Sequence, residues 1–212
     1  MFLEELTIPQ GARLKGTSIL QPKDLMALFT HDTTNMCGKK VFDEYIYAYR
    51  FSVLTGLCPE ELREITRDSI DGYQISIKQS LNSYNEITQG KNENAVRGFV
   101  MAEIAKQTLD MQLAQIPEDQ QLVFDIPSMS TFLHRWKRYC ISNEIQPVSL
   151  YALRHTFVSV VKNLPEGSVK ALVGHSHSMN TFGVYGHALA GDDKLVATDV
   201  NRVFVDLLGS GL

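Results

Sequence analysis

The 212-residue chain has little cysteine, no surplus of positive charge and no long apolar run. Its three cysteines, Cys37, Cys58 and Cys140, lie far apart and form no Cys-x-x-Cys pair. That argues against a disulfide framework and a thiolate zinc site, and fits a reducing cytoplasm. No stretch approaches the roughly 20 apolar residues of a membrane span. The opening MFLEELTIPQ carries acids where a secretory signal carries bases. Internal repeats and low-complexity tracts are also missing. Twenty Lys and Arg face 24 Asp and Glu, a net charge of −4. This balance argues mildly against nucleic-acid binding, although a local basic patch is compatible with an acidic far side.

What is present is ordinary for a globular protein: 44% hydrophobic and 21% charged residues, in a chain long enough for one well-buried domain. Residues 1–19 read as an extended lead-in, with Pro, Gly, Thr and Lys mixed and no apolar period. QPKDLMALF starts a short helix, with Pro22 in its first turn. Residues 41–55, VFDEYIYAYRFSVLT, are apolar almost all round and predict a buried helix ending at Gly56. Pro59 opens another short helix in PEELREI. From Ile70 the pattern changes. IDGYQISIKQSL, SYNEITQGK and NAVRGFVM alternate or are β-branched, with turn residues between them, and predict a small meander. Helical periodicity returns over 102–115, 128–144 and 150–163. Shorter helices are expected near 165–173 and 179–189, and a last one near 192–208. The expected fold class is mainly α with a small antiparallel three-stranded β-sheet (α+β).

Two stretches carry candidate chemistry. In the helix expected after the N-cap candidate Ser149, Leu153, Phe157, Val160 and Val161 define a core stripe, and Tyr151, Arg154 and His155 share a neighbouring face. In LVGHSHSMNTFGVYGHAL, three of the six histidines crowd Tyr185. His175, His177 and His187 could be metal ligands, helix-end residues or neighbours of a reactive tyrosine. A zinc site needs further ligands at helical or loop spacing, and no Cys or HExxH accompanies them. His175 sits just past a helix ending at Gly174, where a protonated imidazole is favoured by the helix dipole.

Taken together, LTGLCPEELREI, KNENAVRGFVM, LYALRHTF and LVGHSHSMNTFGVYGH resemble the catalytic domain of the tyrosine recombinases, the phage and conjugative-transposon integrases. The resemblance covers roughly residues 20–208 and rests on the order and spacing of four elements. That family has a TGxR turn with a glutamate three residues on, a lysine on a β-hairpin, an HxxRH helix, and a GH turn followed by a tyrosine. Here Lys91 stands at the lysine position, Arg154 and His155 on the helix, and Tyr185 ten residues after His175. The resemblance implies that Tyr185 attacks a DNA phosphodiester, giving a 3′-phosphotyrosyl link and a free 5′-hydroxyl, with neither cofactor nor metal. A phenol with a pKa near 10 is a poor nucleophile at neutral pH without help. Arg154 would clamp the charge gathering on the phosphate through a planar, always-charged fork. His175 would add a hydrogen bond or help move the tyrosine proton, and Lys91 would protonate the leaving oxygen. His177 and His187 then read as surface or helix-end residues.

Two positions depart from the family pattern. Cys58 stands where the first arginine belongs, although the companion acid Glu61 is present. A thiol offers a weak donor and no fixed charge. Loss of one such donor costs about 10²–10³ in rate, roughly 3–4 kcal/mol, so cleavage is expected to be strongly impaired. Arg50, Arg63 and Arg67 lie one to two helical turns away and are the candidates to replace the arginine. Tyr151 stands where the family most often has histidine; its hydroxyl can still bond a phosphate but cannot shuttle a proton at neutral pH. The resemblance further implies double-stranded DNA as partner, tetramers on DNA, a monomer when free, and an N-terminal DNA-clamping domain that is absent from this chain. Arg135, Lys137 and Arg138, in HRWKR, are candidate DNA-binding residues. The last helix, with Val203, Phe204, Leu207 and Leu208, is expected to pack on its own domain.

Overall fold

The first helix, α1 (Pro22–Thr30), starts where Pro22 sets the backbone and Asp24 reaches back to the amide of Gln21. A computed structural model describes residues 18–77, 80–81, 87–88, 97–173 and 191–209. A hairpin follows α1, with β1 (Thr33–Met36) paired antiparallel to β2 (Lys39–Phe42). Its two-residue turn is Cys37–Gly38, both at positive φ, the geometry that matches the twist of the flanking strands. Here the structure corrects the sequence reading: Val41 and Phe42 belong to a strand, and the buried helix α2 begins five residues later (Ile46–Thr55). The break falls at Asp43, whose side chain accepts the Tyr45 amide and whose carbonyl accepts the Ile46 amide.

All ten residues of α2 are buried, so it is the central element of the core. Tyr49 stacks on Phe132 at 5.3 Å and packs on Trp136 and Tyr139, all three from a later helix over Met129–Ser142. After Gly56 comes α3 (Pro59–Leu62), shorter than the run to Ile65 expected from PEELREI, because Arg63 and Glu64 form a turn.

The three-stranded antiparallel sheet is present, but its strands are drawn differently from the sequence reading. The single segment IDGYQISIKQSL supplies two of them, β3 (Ile70–Asp71) and β4 (Gln74–Ile77), joined through Gly72 at φ +58°. The third is β7 (Arg97–Val100), paired to β4 with Ile75 opposite Phe99. From the middle segment, β6 (Ile87–Thr88) pairs instead with β5 (Ser80–Leu81) as a separate ladder.

The remaining helices are α4 (Glu103–Leu113), α5 (Met129–Ser142), α6 (Tyr151–Val160), α7 (Glu166–Val173) and α8 (Asp192–Leu208). Each lies within the span its periodicity predicts. The helix expected over 179–189 lies outside the described residues. α8 packs on its own domain, as expected: Val200, Phe204 and Leu208 are buried, Phe204 stacks on Phe157, and Asn201 accepts the Ile104 amide. The architecture is mainly helical with small antiparallel sheets.

Candidate active site

Arg154 organises the described part of the site. It leaves α6 from the face beside the Leu153 and Phe157 core stripe, and only 15% of its side chain is exposed. Ser149 prepares this helix, since its hydroxyl accepts the Ala152 amide from one position outside the assigned cap. The Arg154 guanidinium donates to the carbonyl of Gly56 at 2.9 Å, to the carbonyl of Val173 and to the Glu61 carboxylate at 3.4 Å. Gly56 caps the C-terminus of α2 and Val173 ends α7. One cation therefore sits at the negative ends of two helices and satisfies carbonyls that lack an intrahelical partner.

Gly56 makes this approach possible. It adopts φ +70°, and a Cβ there would lie 2.5 Å from the Phe157 ring. No larger residue would let the end of α2 pack so closely on α6. Leu57 is buried, and its carbonyl accepts the Ser52 hydroxyl, which directs the chain into Cys58 and Pro59. Glu61 then does two things at once. It accepts the Cys58 amide at 2.8 Å, closing the first turn of α3, and it faces Arg154.

Cys58 is half-buried at this corner. Burial, with the Glu61 carboxylate beside it, pushes its thiol well above the usual range, so it is neutral at physiological pH. Tyr151, one turn before Arg154 on α6, is exposed and donates its hydroxyl to Glu60 at 2.7 Å. Partial burial and this hydrogen bond raise its pKa too. Sequence reading missed Glu60: it is separated from Tyr151 by 91 residues, and no spacing rule links them.

The structure thus brings Cys58, Tyr151 and Arg154 together around Glu60 and Glu61. Lys91, His175 and Tyr185, with His177 and His187, lie outside the described residues. The three arginines near Cys58 in sequence are committed elsewhere. Arg50 donates to the Leu28 carbonyl and pairs with Asp32, Arg63 donates to the carbonyls of Ile126 and Pro127, and Arg67 to those of Gln120 and Pro117. On α5, Lys137 and Arg138 are exposed. Arg135 is largely covered, pairing with Glu44 at 3.3 Å and lying over the Tyr45 ring. Among the described residues no group of three or more His, Cys, Asp or Glu is arranged to hold a metal ion, and no helix is long and apolar enough to cross a membrane.

No family model matches the chain, and no curated protein matches it in sequence. Solved structures do match. The integrase of transposon Tn1549, bound to transposon right-end DNA, superimposes with a TM-score of 0.58 and 22% identity, over 97% of this chain and 68% of that one. The integrase of mycobacterium phage Brujita gives 0.59 and 15% identity, over 88% of this chain and 57% of that one. The XerA recombinase gives 0.52 and 20%, over 94% and 66%. The course of the helices and sheets around Arg154 is therefore that of the tyrosine recombinase catalytic-domain fold.

Proposed function

We propose that residues 20–208, behind the lead-in 1–19, are the catalytic domain of a site-specific DNA recombinase whose cleavage step is crippled at Cys58. The observation that carries this reading is the seating of Arg154. A largely covered guanidinium is held in one orientation by Gly56, Val173 and Glu61, at the corner where the recombinase resemblance puts its phosphate clamp. The Tn1549 integrase, which has the same fold, was solved with DNA bound. In the proposed reaction the Tyr185 oxygen gives up its proton, which His175 helps to move, and bonds to the phosphorus as the bond to the 5′-oxygen breaks. Arg154 and His175 neutralise the charge on the non-bridging oxygens, and Lys91 delivers the proton to the leaving oxygen. The phosphotyrosyl ester keeps the bond energy, so rejoining reverses the step. Tetramers on DNA, and a monomer in its absence, are part of the same reading.

Cys58 supports a second reading, a degenerate recombinase that keeps the fold and residual DNA binding without strand cleavage. The placement of Arg50, Arg63 and Arg67 against distant carbonyls favours it, because each would have to break those bonds to stand in. Covalent trapping on nicked suicide DNA separates the two readings. The unaltered chain, Cys58→Arg, and Cys58→Arg with Tyr185→Phe are compared. An adduct that forms about 10²-fold faster with arginine restored, and vanishes with Tyr185→Phe, is expected. An adduct formed equally well by the unaltered chain would sink the assignment of Cys58 as the defect.

A further inference from the structure

The Tyr151 hydroxyl has one proton, and in this structure Glu60 holds it at 2.7 Å. The next residue, Glu61, holds Arg154. Two carboxylates thus stand side by side over two potential phosphate donors, one on each. Glu61 is built in, since it also accepts the Cys58 amide. Glu60 is different: it is partly exposed, and among the described residues Tyr151 is its one hydrogen-bond partner. We infer that the Glu60 carboxylate is a built-in competitor for DNA phosphate, occupying the Tyr151 hydroxyl and adding negative charge, so that Glu60 sets how tightly this site takes DNA. The inference rests on the reading of the site as a phosphate-binding recombinase centre.

Phosphate and Glu60 exclude each other at the Tyr151 hydroxyl. A phosphate oxygen and a carboxylate oxygen are both acceptors, and a single phenolic proton cannot serve both. DNA must therefore displace Glu60 before Tyr151 can contact it, and must approach a trio of Glu60, Glu61 and Arg154 whose formal charge is negative. At the few-ångström separations involved, one carboxylate next to a phosphate is a substantial repulsion even near a surface. Glutamine keeps the shape and removes the charge.

The test is binding of the full chain to a short fluorescent duplex at low salt, with melting temperatures recorded for every variant. Glu60→Gln, which removes the charge, should bind about tenfold tighter than the unaltered chain, and Glu60→Ala, which also removes the acceptor of the Tyr151 hydroxyl, should bind at least as tightly. In a Tyr151→Phe background the gain from Glu60→Ala should shrink to about threefold, because part of it comes from the freed hydroxyl, whereas glutamine keeps an acceptor oxygen there. Arg154→Ala is the control for where DNA sits. If it abolishes binding while Glu60→Gln stays within twofold of the unaltered chain, the inference fails and the recombinase reading stands. A gain undiminished by Tyr151→Phe also overturns it, leaving only a general charge effect. No binding by any of these proteins overturns both.

Discussion

Arg154 ties three segments that are remote in sequence: the end of α2, the start of α3 and the end of α7. A lysine at this position would keep the charge but not the planar fork, and one ammonium cannot reach acceptors spread around it in this way. Arg154→Lys should therefore lose at least one charge-assisted bond and lower stability by about 1.5–3 kcal/mol, read from chemical denaturation. Its fold loss should exceed that of Lys137 or Arg138 substitutions, which touch exposed side chains. Arg154 was legible in the sequence because its spacing from His155 and the following Gly-His pair is a local pattern. Its acceptors were not legible, because two of them are backbone carbonyls, and any residue type supplies a carbonyl. Glu60 escaped notice for a related reason: an acid in the first turn of a helix is unremarkable until α6 is laid across it.

At the scale of elements, the junction of α2 with α6 is the critical joint. Gly56 needs a left-handed backbone, and its missing side chain is the space taken by Phe157. Gly56→Ala combines about 1–2 kcal/mol of backbone strain with overpacking of about 1–3 kcal/mol. Denaturant unfolding should report a loss within the sum of those ranges. Because the Gly56 carbonyl would shift with it, Arg154 should become less ordered as well. The contrast is Gly38 at φ +79°, in the hairpin turn, where a Cβ meets nothing. The hairpin itself was hidden in the sequence. Val41 and Phe42 extend the apolar run into α2, and periodicity cannot tell the last residues of a strand from the first turn of a buried helix. Buried Asp43, which closes one element and opens the next, was the available sign.

At the scale of the whole molecule, the core holds several titratable groups in their neutral form. Burial raises the pKa of Tyr49 and Tyr139, pushes Cys140 up to about 12, and raises Cys58. For these acids the folded value lies above the unfolded one, so between the two the native state binds more protons than the unfolded chain. Stability is then fully present below the unfolded value and falls as pH rises through the window. For Cys140 that window runs from an ordinary value of 9.0 to about 12. The melting temperature should thus be flat through neutral pH and fall steeply above about pH 9. The share of tyrosinate absorbance due to Tyr49 and Tyr139 should then appear together with unfolding rather than ahead of it. Tyrosinate developing fully in a still-folded chain would contradict this burial.

The sequence by itself determined the class of fold and the extent of the long helices, and it put forward the candidate site residues. These depend on local periodicity, on caps such as Ser149 and on short-range spacing, all of which act within a few turns of chain. Only the tertiary structure decided which charges meet. It placed Arg154 on two helix ends and Glu61, gave Tyr151 to Glu60, and tied Arg50, Arg63, Arg67 and Arg135 into other contacts. Those pairings span from tens of residues to about a hundred. They exist because packing around the buried α2 brings segments remote in sequence together, where polar groups leaving water must find partners.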